Sequence, residues 1–206
     1  MGLFAKSAWL GVAALAAAGL AAPAAAQLHS DGYKFLEAVD KKENNTVFTM
    51  LDSPGGSVLV NSRDLASDRT ALHIVVARHD EAWLRFLLAR GADPNLADNK
   101  GVTPLLLACR MGFLSGVEAL VSARARVDES NDAGETPLIS AVHVHNLELV
   151  KILLKAGADP DHTDNSGRSA RDYAKLDGAQ STVLAAIVQL GKTKASARAD
   201  TYGPSL

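Results

Sequence analysis

Residues 98–108 read DNKGVTPLLLA, and residues 131–141 read NDAGETPLISA. The two stretches lie 33 residues apart and share an Asp or Asn, a Gly three positions later, and then Thr-Pro-Leu. The same offset leads back to Thr70-Ala71-Leu72-His73 and forward to Ser169-Ala170-Arg171-Asp172. A fixed period over four successive units is typical of a solenoid, in which each unit packs only against its neighbours.

The start of each unit has a physical explanation. Asp98 can accept hydrogen bonds from the backbone ahead of it, and Gly101 can adopt a positive φ, so the stretch between them predicts a turn. Thr103 is a suitable N-cap, and Pro104 then occupies the first position of a helix, where no backbone donor is missed. Each unit therefore begins with a turn that leads into a capped helix.

A second helix follows in every unit. The apolar residues Leu84, Val117, Val150 and Val183 recur at the 33-residue period, each followed by further apolar residues at helical spacing. This helix is expected to stop at Gly91-Ala92-Asp93-Pro94-Asn95 and at the matching residues 157–161, because Gly allows a left-handed cap and Pro prevents continuation.

These residues resemble the ankyrin repeat, in which D-x-x-G-x-T-P-L-H-x-A precedes a second helix and G-A-D-x-N. The resemblance covers roughly residues 64–190. It implies an all-α, ankyrin-repeat solenoid of about five stacked helix pairs with β-turn fingers, curved so that fingers and first helices form a concave inner face. Three departures stand out: Asp68 replaces the finger Gly, Arg124 replaces the loop Gly, and Arg171-Asp172 replaces Leu-His.

The ends of the chain differ from its middle. Residues 27–66 predict an N-terminal capping repeat, with helices near 33–39 and 45–51 and a turn-rich loop from Ser53 to Asp64. Residues 67–190 hold the repeats and a C-terminal cap, where polar Arg171, Asp172 and Lys175 would face an absent sixth repeat. Residues 191–206 show no apolar period and are expected to be a disordered tail.

Residues 1–26 predict a signal peptide. Lys6 precedes an apolar run from Ala8 to Leu20, and Ala24-Ala25-Ala26 gives the small-x-small pattern of a cleavage site. The alternative is an uncleaved membrane anchor, but an alanine-rich run broken by Pro23 is weakly apolar for a span of about 20 residues. We expect a mature protein that begins at Gln27, is periplasmic or secreted, and is not inserted in a membrane.

The charge balance argues against nucleic-acid binding. The 206 residues contain 21 Lys plus Arg and 23 Asp plus Glu, and removal of a segment with one lysine and no acid lowers the net charge from −2 to −3. The single cysteine excludes an intrachain disulfide. We expect a monomer.

The predicted fold argues against both a catalytic cysteine and a histidine metal site. Cys109 aligns with Val76 and Val142 and is therefore expected to be a small core residue with a disfavoured thiolate. His79 and His145 lie two repeats apart, about 20 Å by helix diameters, which is too far to share a metal ion. We therefore expect no enzymatic activity, no cofactor and no metal site, with His73 acting as a structural hydrogen-bonding residue.

The predicted function is protein binding on the inner face. Residues that vary between repeats at finger and first-helix positions can form a specific surface, whereas the scaffold residues recur. Alternatives are an inhibitor or immunity-type protein that occludes an enzyme or toxin, and an accessory factor in oxidative-stress defence. The predicted partner-binding residues are Arg69, Arg78, Lys100, Val102, Arg110, Met111, Asp132, Glu135, His143 and Val144.

Overall fold

The computed structural model describes residues 24–178 and 181–191, with side chains from Asp31 onward. Most of the predicted signal peptide, residues 1–23, and all but the first residue of the predicted tail lie outside these ranges. The predicted cleavage point after Ala26 falls inside the first helix, so export and cleavage stay predictions.

The described residues form eleven helices and no strand, with two isolated antiparallel bridges, Arg63–Thr70 and Thr163–Ser169. Five helix pairs account for ten of the helices, which confirms the all-α solenoid. The pairs are α1 (Ala24–Asp40) with α2 (Asn44–Asp52), α4 (Ala71–Ala77) with α5 (Glu81–Ala89), α6 (Pro104–Arg110) with α7 (Leu114–Ser122), α8 (Pro137–His143) with α9 (Leu147–Lys155), and α10 (Ala170–Leu176) with α11 (Thr182–Leu190).

The helices form two layers. Successive first helices contact one another from α4 through α6 and α8 to α10, and successive second helices do so from α5 through α7 and α9 to α11. Leu84, Val117, Val150 and Val183 are all buried between these layers. The predicted recurrence of these four residues is therefore a recurrence of core positions.

Fingers precede the first helices and are joined to one another. Asp98 Oδ1 accepts hydrogen bonds from the backbone N–H groups of Lys100 and Val102, both at 2.9 Å, and Gly101 has φ +72°. Each finger also bonds the next, since Asn99 N donates to Ser67 O at 3.0 Å and Asp132 N donates to Lys100 O at 3.1 Å. The predicted turns are thus confirmed, and they form a continuous ladder.

The helix starts follow the predicted capping chemistry. Thr103 Oγ1 accepts from Leu106 N at 3.2 Å, and Thr136 Oγ1 accepts from Ile139 N at the same distance, with proline at the first helical position in both repeats. An N-cap hydroxyl of this kind stabilises a helix by about 1 kcal/mol.

The loops after the second helices form a further ladder between repeats. Asn61 Oδ1 accepts from Asp93 N, and Asn95 Oδ1 accepts from Arg126 N, both at 2.8 Å. The third loop keeps this geometry although it lacks the glycine, because Arg124 itself adopts φ +64°. Asp161, in the last loop, instead binds the guanidinium of Arg171, with Oδ1 to Nε at 2.6 Å.

The N-terminal repeat departs from the predicted boundaries. Helix α1 has 17 residues where α4 has seven, and the segment predicted as a loop contains the short helix α3 (Gly56–Leu59). Gly55 begins that helix with φ +97°, which a side chain would disfavour. The Gly55-Gly56 pair, within the segment predicted as a turn-rich loop, is the sequence feature at the start of this helix.

Candidate functional site

The inner face, defined as the fingers and the first helices, carries an ion pair at its centre. Arg110 at the end of α6 binds Glu135 in the next finger, with Nε donating to Oε2 at 3.2 Å and Nη2 donating to the same oxygen. Asn131 Nδ2 also approaches that oxygen, at 3.4 Å. Two predicted binding residues thus meet and neutralise each other at the junction of two repeats.

Apolar side chains flank this pair. Met111 and Val144 are the C-cap residues of α6 and α8, and 37% and 39% of their surface is exposed. The finger residues Lys100 and Asp132 are exposed as well. These four predicted residues are therefore on the surface, and their side chains are not part of the hydrophobic core.

An aromatic contact joins α8 and α10 on the inner face, next to the last repeat. The rings of His143 and Tyr173 pack edge to face with centroids 4.5 Å apart, and Tyr173 Oη donates to Asp164 Oδ2 at 2.6 Å. Arg168 lies over the same ring, 5.9 Å from its centroid. Tyr173 is not among the predicted binding residues, although its position does vary between repeats, with Ile74, Leu107 and Ser140 at the aligned positions.

Three of the predicted binding residues are buried or half-buried in the fold, and their part in binding stays a prediction. Val102 is only 5% exposed, and its carbonyl oxygen lies 2.8 Å from His73 Nε2, so its side chain belongs to the core. Arg78 is half-buried, and its Nη1 donates to Val39 O and Asp40 O, both at 2.7 Å. Arg78 therefore caps the end of α1 and joins the first two repeats. Arg69 is also half-buried, with Nη2 donating to His73 O at 3.3 Å.

His73 has the structural role expected of it. Its Nδ1 accepts from Thr70 N at 3.1 Å, so Nε2 carries the proton and donates to the Val102 carbonyl of the next repeat. Burial lowers the pKa of this imidazole, which keeps the ring neutral near pH 7.

Nothing in the described part of the chain assembles reactive groups. Cys109 is fully buried, as predicted, and burial raises the pKa of its thiol far above the usual value. His79 Nε2 lies 3.3 Å from Met111 O, whereas His145 Nδ1 lies 3.2 Å from Asp177 Oδ2, so the two histidines face different partners. Within residues 31–178 and 181–191, no three metal-binding side chains come together.

The described helices are short, amphipathic or both. None of them combines the length and the apolar character that a transmembrane helix requires.

Comparison with known proteins matches this geometry. The model of a protein family described as "Ankyrin repeats (3 copies)" matches residues 35–131 and, in a second match, residues 72–164. The chain is 33% identical over 95 residues to NF-kappa-B inhibitor alpha of Rattus norvegicus, covering 46% of this chain and 30% of that protein. It is 32% identical over 98 residues to the Homo sapiens protein of the same name, covering 47% and 31%.

A third relative is ankyrin repeat domain-containing protein 63 of Homo sapiens, 35% identical over 91 residues, covering 42% of this chain and 23% of that protein. The chain thus spans a third or less of the length of these relatives. The family match, together with five helix pairs, hydrogen-bonded fingers and capped first helices, shows that the chain belongs to the ankyrin repeat family.

Proposed function

We propose that this chain is an exported protein-binding module that holds its partner on the inner face. The ankyrin repeat is a protein–protein interaction scaffold, and the observation that carries the proposal is the central cluster of Arg110, Glu135, Met111 and Val144. These side chains are at least partly exposed, they vary between repeats, and they do not contribute to the core. Partly exposed arginine and methionine are enriched in protein interfaces.

Affinity capture with the chain from Gln27 to Leu206 tests this proposal. Once a partner is identified by mass spectrometry, the double substitution Arg110→Ala and Met111→Ala should weaken its binding at least tenfold and leave the melting temperature nearly unchanged. The matched control is Glu118→Ala with Ser122→Ala, two exposed residues on α7 of the same repeat but in the outer layer. Loss of binding in the control alone would move the site to the outer layer.

Export is a separate part of the proposal. It is supported by the charged start, apolar run and small-x-small pattern of residues 1–26. N-terminal sequencing of the protein from an extracytoplasmic fraction should give Gln27 as the first residue. Recovery of the chain with Met1 intact in the membrane fraction would contradict cleavage.

An inhibitory role is the second candidate. Its support is that two of the relatives are named as inhibitors, although this chain covers less than a third of their length. Adding the chain to the purified partner, when that partner is an enzyme or toxin, should abolish its activity in proportion to occupancy. Full activity of a saturated complex would favour a scaffolding role.

A further inference from the structure

Two cavities lie side by side at the N-terminal end of the solenoid. One, of about 460 Å³, lies between α1 and the first finger (residues 64–69) and extends to Ile74. The other, of about 550 Å³, lies between α1, α3 and the same finger and includes Val58 and Leu65. Both are lined by Tyr33 and Asp64. We call the pair the first-repeat groove; among the predicted binding residues it contains Arg69 alone.

The groove is apolar where a partner could reach it. Tyr33, Val58 and Leu65 are 60%, 64% and 75% exposed, whereas Met111 and Val144 in the internal repeats are exposed by less than 40%. Covering these side chains with a partner removes apolar surface from water and is therefore favourable. Such a concentration of exposed apolar surface beside two cavities is typical of a binding site.

The cations that line the groove are bonded within the fold, whereas, in the described part of the chain, most of its carboxylates have free oxygens. The cations already have acceptors: Lys41 Nζ donates to Glu37 Oε1 at 2.6 Å, Arg69 donates to His73 O, and Arg63 donates to Ala97 O. Every cationic side chain that lines the groove is therefore engaged within the fold.

Of the four carboxylates that line the groove, Glu37 is paired with Lys41, but the other three have oxygens without a partner among the described residues. Those of Asp40 and Asp68 have no hydrogen-bond or ion-pair partner among the described residues. Asp64 uses Oδ1 for Ser67 and Ala66 and leaves Oδ2 without a partner among the same residues. Hydrogen bonds from Ser67 lower the pKa of the Asp64 carboxyl, which keeps it ionised. Lysine and arginine form stronger hydrogen bonds with carboxylates than neutral donors do, so an occupant with a cationic group complements this groove best.

We infer that the first-repeat groove binds a segment of a partner protein that carries a lysine or arginine beside a bulky apolar side chain. The apolar side chain packs against Tyr33, Val58 and Leu65, and the cation binds the open carboxylates of Asp40, Asp64 and Asp68. All these residues follow Ala26, so they remain after the proposed cleavage. The inference rests on the proposed function and adds the chemistry of the partner and a second contact region.

Selection from a random heptapeptide display library on the immobilised chain tests this inference. Enriched peptides should contain Lys or Arg within two positions of a bulky apolar residue. For one enriched synthetic peptide, fluorescence anisotropy should show binding at least tenfold weaker for Tyr33→Ala and for Asp40→Asn with Asp68→Asn. Binding should also weaken as salt is raised. The matched control is Glu118→Gln, an exposed carboxylate on α7 in the outer layer, which should bind as the unsubstituted chain does.

Circular dichroism should show that the variants are folded, since Tyr33 and Asp40 are exposed, and Tyr33→Phe should retain most of the binding. Failure to enrich basic peptides would overturn the inference. Loss of peptide binding in the Arg110→Ala and Met111→Ala variant, with none in Tyr33→Ala, would also overturn it but leave the proposed inner-face function intact. Peptide binding lost in Tyr33→Ala, with partner capture insensitive to the Arg110 and Met111 changes, would keep the groove and contradict the proposed central site.

Discussion

The internal repeats and the two terminal repeats are built from the same helix pair, yet only the internal ones keep the 33-residue period strictly. Helices α6 and α8 have seven residues each, and α7 and α9 have nine each. At the N-terminal end α1 has 17 residues and the extra helix α3 follows α2. At the C-terminal end α11 begins two residues later than the period from α9 predicts.

The reason is the number of neighbours. A residue such as Leu120 lies in a helix that contacts both α5 and α9, so a change of length would disturb two interfaces. Terminal repeats have one interface and can diverge on the other side. Accordingly, all large apolar side chains of the described region that are 60% or more exposed lie in the terminal repeats or the first finger. They are Tyr33, Val58, Leu65, Leu176 and Val188.

The sharpest test of this difference is a cavity placed in each region. Leu120→Ala should lower the free energy of unfolding by about 2–5 kcal/mol, because the cavity lies between helices on both sides. Ile187→Ala, at an equally buried position of α11, should cost less than half as much. A stack of repeats loses its end unit separately, so the loss should appear in local opening.

Urea denaturation gives the global values, and hydrogen exchange shows where protection is lost. For Ile187→Ala, faster exchange should be confined to α10 and α11. Uniform loss of protection across all repeats would show that the last repeat is fully coupled to the rest, contrary to the comparison.

At the other end, Arg78 is a half-buried arginine that joins the second repeat to α1 of the first. Replacing Arg78 with Ala leaves the Val39 and Asp40 carbonyls without their charged donor and should cost about 1–3 kcal/mol. Hydrogen exchange should increase mainly in α1 and α2. The control Arg85→Ala removes an exposed arginine from α5 whose bond is to Glu81 in the same helix, and it should have little effect.

The role of Arg78 also shows what could and could not be predicted from the sequence. Turn, cap and core residues act within one repeat or between identical positions of adjacent repeats, so the period alone located the Thr103 cap, the Gly101 turn and the burial of Cys109. The bonds of Arg78 reach α1, whose end has no periodic marker. Its burial therefore depended on a packing arrangement that spacing does not encode.

The candidate site likewise contains residues that could be predicted from the period and residues that could not. Variation between repeats correctly placed Arg110, Met111 and Val144 on the surface, but it also selected Val102, which aligns with exposed or charged residues and is nevertheless apolar enough to be buried. The first-repeat groove was missed altogether, because it arises from the extra length of α1 and from α3, and neither has a counterpart in another repeat.

Acid stability offers a third test, specific to the second repeat. Because burial lowers the folded pKa of His73, the unfolded chain binds more protons below its pKa of about 6.5, and stability should fall as the pH drops. His73→Leu, which copies Leu106 of the next repeat, removes this dependence. Between pH 7.5 and 5.5 the unsubstituted chain should lose up to about 1.4 kcal/mol more than the variant.

Urea midpoints at the two pH values measure that difference, and the exposed His143→Ala serves as the control. The lower stability expected of His73→Leu at pH 7.5, from the unpaired Val102 carbonyl, does not affect the comparison of slopes. Equal acid losses in both chains would assign the pH dependence to other groups.

The smallest expected effect concerns Arg124, which occupies a loop position where two other repeats have glycine. Gly91 and Gly157 have φ +89° and +96° at the equivalent loop positions, and Arg124 has φ +64°. A non-glycine residue in this region costs roughly 1 kcal/mol, but glycine also gains entropy in the unfolded chain. Arg124→Gly should therefore raise the free energy of unfolding by no more than about 1 kcal/mol. The reciprocal Gly157→Arg should lower the free energy of unfolding, because a non-glycine residue is disfavoured at φ +96°. No atom lies within 4 Å of an added Cβ, so this cost comes from the backbone conformation and not from a steric clash. Urea denaturation of both variants measures the pair of changes. A lower midpoint for Arg124→Gly would mean that the arginine side chain stabilises its loop by more than its backbone conformation costs.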